Sequence, residues 1–148
     1  MRGVVATMVL LAAVLGPRAV RADGDSLVVI VHPSCPLDEI SKADLRQIFT
    51  HNRVPHPTGK AWIPLNTPVR TRERVTFDLL VLDKTPEEVG RFWVDQRIRA
   101  QSRPPRVVPS VRISARVVER LPTGIAYVPK ALVPPGVKIL RVDGRASL

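Results

Sequence analysis

From residue 27 onward, apolar positions switch between short continuous runs and runs spaced three or four apart, and each switch marks a change of element. Leu27–Val31 (LVVIV) is an unbroken β-branched and apolar run stopped by His32-Pro33, which predicts a strand buried on both faces. After a turn over 33–36, Ser41 with Asp44 three residues on approximates a capping box, and Leu45, Ile48 and Phe49 at i, i+3, i+4 form one helix face. The stretch 50–60 holds two prolines, an asparagine and a glycine, and reads as a loop. A second strand is expected over 61–65, at a sheet edge because Pro64 cannot donate to a ladder. Residues 71–82 read as a helix with Val75, Leu79 and Leu82 as its stripe. Thr85-Pro86-Glu87-Glu88 then offers an N-cap, a proline at N1 and a glutamate at N3, with Val89, Phe92 and Trp93 on the buried face that follows. The prolines of 102–110 demand extended chain, after which Ser110 caps a helix with Ile113, Val117 and Leu121 on one face. Gly124 is placed to end that helix in a left-handed conformation, ahead of a strand over 125–128. Pro134-Pro135-Gly136 turns the chain into a last strand over 137–142. The order β-α-β-α-α-α-β-β predicts one α/β domain, a mixed sheet flanked by helices.

The first 22 residues follow different rules. Met1-Arg2, an apolar run over 4–15 and small residues at Val20 and Ala22 have the form of a secretory signal peptide cut after Ala22. The expected division is a leader over 1–22 and a folded domain over 23–148. The apolar run is short for a bilayer crossing.

The formal charge of +10 drops to +7 once Arg2, Arg18 and Arg21 leave with the leader. A basic excess can serve nucleic acid, anionic membranes or small anions. Export and a sparse aromatic content of three Phe, two Trp and one Tyr argue against a nucleic-acid partner. The single cysteine, Cys35, cannot close a disulfide within the chain. His32, Cys35, His51 and His56 do not fall at a metal-ligand spacing, so neither a metal nor another cofactor is expected. There is no nucleophile–base pairing and no glycine-rich phosphate loop, and no enzymatic activity is expected.

Several stretches in order, "LVVIVHPSCPLDEISKADLRQIFTHNRVPHPTGKAWIPLN", "RERVTFDLLVLDKTPEEVGRFW" and "RPPRVVPSVRISARVVERLPTGIAYV", carry a resemblance. The chain resembles the phosphate ABC transporter substrate-binding proteins, and more closely their short single-lobe periplasmic relatives in the type-2 periplasmic binding protein superfamily. The marks are "LRQIF" before a polar loop, Arg74-x-x-Phe77, Phe92-Trp93, Pro104-Pro105 and Gly124-Ile125-Ala126-Tyr127, where Ala126 replaces the family's usual second glycine.

The resemblance implies one lobe of that fold, in the periplasm, binding inorganic phosphate or a similar oxyanion through uncharged donors at a helix N-terminus. The family's Ser-Gly-Thr turn maps onto Thr71, Arg72 and Glu73, so one of its hydroxyls survives. Thr67 lies nearby, Arg70 and Arg72 add cation, and the segment after the first strand maps onto Ser34. The implied partners are a membrane component of an ABC transporter or another envelope protein. Because one lobe leaves an anion exposed on one side, a second copy of the chain, in a homodimer, or another protein would have to cover it. The alternative is a degenerate lobe that has lost its ligand and serves as an interaction or sensory module.

Overall fold

The structure is a computed structural model that describes residues 23–148; the expected leader lies outside the described residues. In chain order the main elements are β1 (Leu27–Val31), β2 (Glu39–Ile40), α1 (Lys42–Thr50), β3 (Ile63–Asn66), α2 (Arg72–Phe77), α3 (Pro86–Ile98), β4 (Arg106–Val107), α4 (Val111–Val118), β5 (Gly124–Pro129) and β6 (Lys138–Val142). Among the described residues the strands form a six-stranded mixed sheet in the order β2-β6-β1-β5-β3-β4. β1 runs antiparallel to both β5 and β6, while β3 runs parallel to β5 and β4.

The continuous apolar run of β1 is explained by its central place, since strands covered on both faces need no polar alternation. Leu27, Val29 and Val31 point into one core with Leu45, Ile48 and Phe49 of α1 and with Phe77 and Val81. Val28 and Ile30 point into a second core with Val111, Ala115 and Val118 of α4. The helices thus sandwich the sheet.

Local signals set several boundaries. The Ser41 side chain accepts from the Asp44 N–H at 3.0 Å, and Thr85 with Glu88 forms a complete capping box at the start of α3. The Thr85 N–H bonded to Glu88 holds that carboxyl below its ordinary pKa.

Four expectations need correction. β3 is not an edge strand: Ile63 N–H bonds Thr123 O on the β5 side, so Pro64, whose missing N–H would face the other way, sits where the short β4 has not yet begun. Helix 71–82 does not keep one α-helical stripe. It continues from α2 into a π-helical turn over Asp78–Leu82, which buries Phe77, Asp78, Val81 and Leu82 and leaves Leu79 and Leu80 exposed. α4 buries Val111, Ser114, Ala115 and Val118, not the Ile113 face. Gly124 is no left-handed cap. It opens β5, and a Cβ there would stand 3.1 Å from Leu121 O and 3.3 Å from Leu121 Cβ, so close backbone approach is what requires glycine.

Candidate functional site

β3 ends at Asn66 and hands the chain to Thr67, Pro68, Val69 and Arg70 before α2 begins. Thr67 is buried, whereas Pro68, Val69 and Arg70 are exposed. Thr71 occupies the N-cap position with extended φ and ψ of −70° and 145°, but its side chain accepts nothing from the first turn. Its hydroxyl donates instead to Pro68 O at 2.9 Å, and its N–H bonds the same carbonyl at 3.0 Å. The first-turn N–H groups of α2 therefore have no side-chain acceptor, at the end of the helix where the backbone dipoles leave partial positive charge.

Hydroxyl bookkeeping extends inward from Thr71. Its one proton is committed to Pro68 O, so Thr67 is the donor across the 2.7 Å contact between the two hydroxyls. Tyr127 OH lies 3.3 Å from Thr67 Oγ1, donates to Asn66 Oδ1 at 3.2 Å and receives the Thr67 N–H at 3.4 Å. Burial pushes the Tyr127 phenol pKa up, against the opposing hydrogen bond from Thr67, so the phenol stays protonated. Its ring stacks on Phe77, with centroids 4.1 Å apart and planes at 13°. Beneath this chain, Arg74 Nη1 donates to Thr67 O at 3.3 Å while its Nε pairs with Asp78 Oδ2 at 2.7 Å. Both members of the pair are buried. Desolvation drives the Asp78 carboxyl pKa up and the adjacent guanidinium opposes it.

Four of the five expected site residues, Thr67, Arg70, Thr71 and Arg72, share this corner. Arg72 is exposed and pairs with Asp25 at 3.3 Å. A cleft of about 170 Å3 lies beside it, lined in part by Asp25, Glu73, Thr76 and Pro129. Its two carboxylates repel an anion, so the hydroxyl and N–H side of the corner is the one that suits an oxyanion. Arg74 turns inward and offers no cation to solvent.

Ser34 is not brought to the others. It follows the Val31 end of β1, which is level with Ile125 and Lys138, whereas Thr67 follows the β3 end that points toward Tyr127 and the Leu27 end of β1. There Ser34 closes a local turn, its Oγ 2.7 Å from His32 Nδ1. Sequence reasoning missed Asn66, Tyr127 and Asp78. The i, i+4 spacing of Arg74 and Asp78 was a readable signal; the convergence of Tyr127 on Thr67, 60 residues away in sequence, was not. Ala126, which stands for the family's second glycine, faces the opposite core from Tyr127 and is fully buried without touching the hydroxyl chain.

Among the described residues no group of three or more His, Cys, Asp or Glu could hold a metal ion, and no helix is long and apolar enough to cross a membrane. No protein-family model and no curated protein matches the sequence. Solved structures do match. An ABC-type phosphate transport receptor from Vibrio cholerae superposes with a TM-score of 0.68 at 15% identity, covering 84% of this chain and 49% of that one. PstS from Borrelia burgdorferi gives 0.62 at 21% identity, covering 82% and 48%. A Clostridium perfringens protein described as a phosphate ABC transporter substrate-binding protein, solved with bound phosphate, gives 0.66 at 15%, covering 82% and 46%. The chain spans about half the length of these structures. In fold, it resembles about half of the structures of these phosphate ABC transporter substrate-binding proteins.

Proposed function

We propose that the chain is an exported, non-enzymatic solute-binding protein that takes inorganic phosphate or a similar oxyanion at the start of α2, in service of ABC-type phosphate transport. The observation that carries this reading is the uncapped first turn of α2 beside the Thr67–Thr71 hydroxyl pair. An oxyanion placed there would accept from the free N–H groups and from Thr71, which would release Pro68 O while still receiving the proton of Thr67. Arg70 and Arg72 would add cationic charge at the rim. The fold likeness to phosphate-binding proteins, one of them holding phosphate, supports the choice of ligand.

A second reading is an interaction or sensory module without small ligand. The carboxylates of Asp25 and Glu73 beside Arg72 favour it, because they offset the attraction for an anion.

Thermal melts against phosphate, sulfate and chloride at matched ionic strength separate the two. Ligand at about 100 times its dissociation constant stabilises the native state by about 2.7 kcal/mol, a rise of roughly 10 °C for a domain of this size. The oxyanion reading expects that rise with phosphate and its loss in Thr71→Ala. Equal melting in all three salts refutes it.

A further inference from the structure

The rotation of α4 that buries Val111, Ala115 and Val118 leaves Ile113 exposed at the surface, with Val117 beside it packed partly against the second core and Leu121 at the end of the same stripe. Ile113 is 37% exposed, and Val117 and Leu121 are half-buried. Arg112, Arg116 and Arg120, spaced i, i+4, i+8, run along its outer side, and Arg106 comes from the edge strand β4. Ile113, Val117, Leu121, Arg106, Arg116 and Arg120 line one shallow groove of about 600 Å3, with Glu119 as its one carboxylate. None of the four arginines has an ion-pair partner among the described residues, so their charge is open to an incoming group. Beside the groove, Val107 of β4 is 57% exposed on the sheet edge.

We infer that this groove docks an acidic, apolar-containing segment of another protein. Its apolar side chains seat on Ile113, Val117 and Leu121, and its carboxylates meet Arg106, Arg116 and Arg120. An apolar floor beneath charged walls fits such a segment on both counts, because burial on the floor drives association while the charges steer approach and fix register. A membrane surface fits less well, since Val117 and Leu121 are half-buried and Ile113 alone of the stripe is exposed to insert into it. Nucleic acid or polyphosphate would make no use of the apolar floor. A second copy of this basic chain brings a like net charge to the groove. The inference is independent of the oxyanion reading, which concerns a different corner of the fold.

The test is fluorescence anisotropy with a short labelled peptide carrying Leu and Glu on one helix face, beside the same peptide with Gln for Glu and beside phosphatidylglycerol vesicles. The protein is compared with Arg116→Glu/Arg120→Glu, Ile113→Ser and Thr71→Ala, each checked by circular dichroism. The expected result is saturable binding of the acidic peptide, weakened about tenfold or more by the charge reversal and by the Gln peptide. Ile113→Ser weakens it severalfold and Thr71→Ala leaves it unchanged. Absence of saturable binding, equal affinity of the charge-reversed protein, or preferential capture by the vesicles would overturn the inference.

Discussion

Replacing Arg74 by Met removes the cation from a buried pair and leaves the Asp78 carboxylate alone, with side-chain exposures of 5% and 1% in the parent pair. Asp78 Oδ1 already has no hydrogen-bond partner, so the stranded group has nothing to turn to. Breaking a buried pair from one side costs about 3–5 kcal/mol. The carboxyl can escape by taking up a proton, and for an acid with an unfolded pKa of about 3.9 that escape costs about 4 kcal/mol at pH 7 and about 1.5 kcal/mol at pH 5. The loss in Arg74→Met is therefore expected near 4 kcal/mol at pH 7, shrinking toward 1.5 kcal/mol at pH 5. The sign follows from linkage: the folded variant binds the proton that the unfolded chain gives up, so stability falls as pH rises above the unfolded pKa. At about 2.1 cal/mol/K per residue, residues 23–148 convert each kcal/mol into roughly 4 °C of melting temperature. Urea unfolding followed by the fluorescence of Trp62 and Trp93 measures the loss at both pH values. Arg74→Met/Asp78→Leu is expected within about 1 kcal/mol of the parent, since an apolar pair of similar volume replaces the charges. A loss below 1 kcal/mol at pH 7, or one equal at pH 5 and pH 7, would refute the reasoning.

Two further substitutions test the local physics. The Thr58 N–H donates to His56 Nδ1 at 3.2 Å, which places the proton of the neutral ring on Nε2 beside Trp62, and burial lowers the His56 pKa. The unfolded chain takes up this proton first, so His56 lowers stability as pH falls below about 6.5, by at most about 1.4 kcal/mol per pH unit. That segment of the urea-midpoint profile should flatten in His56→Gln; an unchanged slope would assign it elsewhere. Gly124→Ala gains about 0.4–1 kcal/mol from a stiffer unfolded chain but forces Cβ onto the Leu121 carbonyl, at a cost of about 1–3 kcal/mol. A net loss of about 1 kcal/mol is expected in thermal melts, and a net gain would remove close approach as the reason for the glycine.

Elements whose signals are local were legible in the chain. The Ser41 and Thr85 caps, the unbroken apolar β1 and the last strand all appear within a residue or two of where the pattern puts them. What the pattern could not carry was set by partners far along the chain. β2 and β4, two residues each, exist because β6 and β3 lend them hydrogen bonds, and neither has a hydrophobic period of its own. The face of α4 was misread because Ile113-Val117-Leu121 and Val111-Ala115-Val118 are both legitimate helical stripes. Small Ala115 and Ser114 win the sheet side by letting the helix sit close to β5. The π-helical turn after Phe77 likewise reverses the expected exposure of Leu79, since one extra residue per turn rotates everything after it.

For the candidate site, the same division explains why Thr67 and Thr71 could be singled out from the sequence and the groups that hold them could not. Both threonines lie in one short segment, but the groups that fix them arrive from β5 and from the inner side of α2. That support also changes how the departure from Ser-Gly-Thr should be weighed. Arg72 and Glu73, the residues that replace the glycine and the threonine, turn toward solvent and the small cleft. The hydroxyl of Thr71 is positioned from within, through Thr67, Tyr127 and the carbonyl of Pro68. A substitution on the outer side can therefore alter the charge an incoming anion meets while leaving the donors where they are. A substitution at Tyr127 or Arg74 would shift the donors themselves, so under the proposed oxyanion reading the site and the stability of the fold rest on the same buried groups.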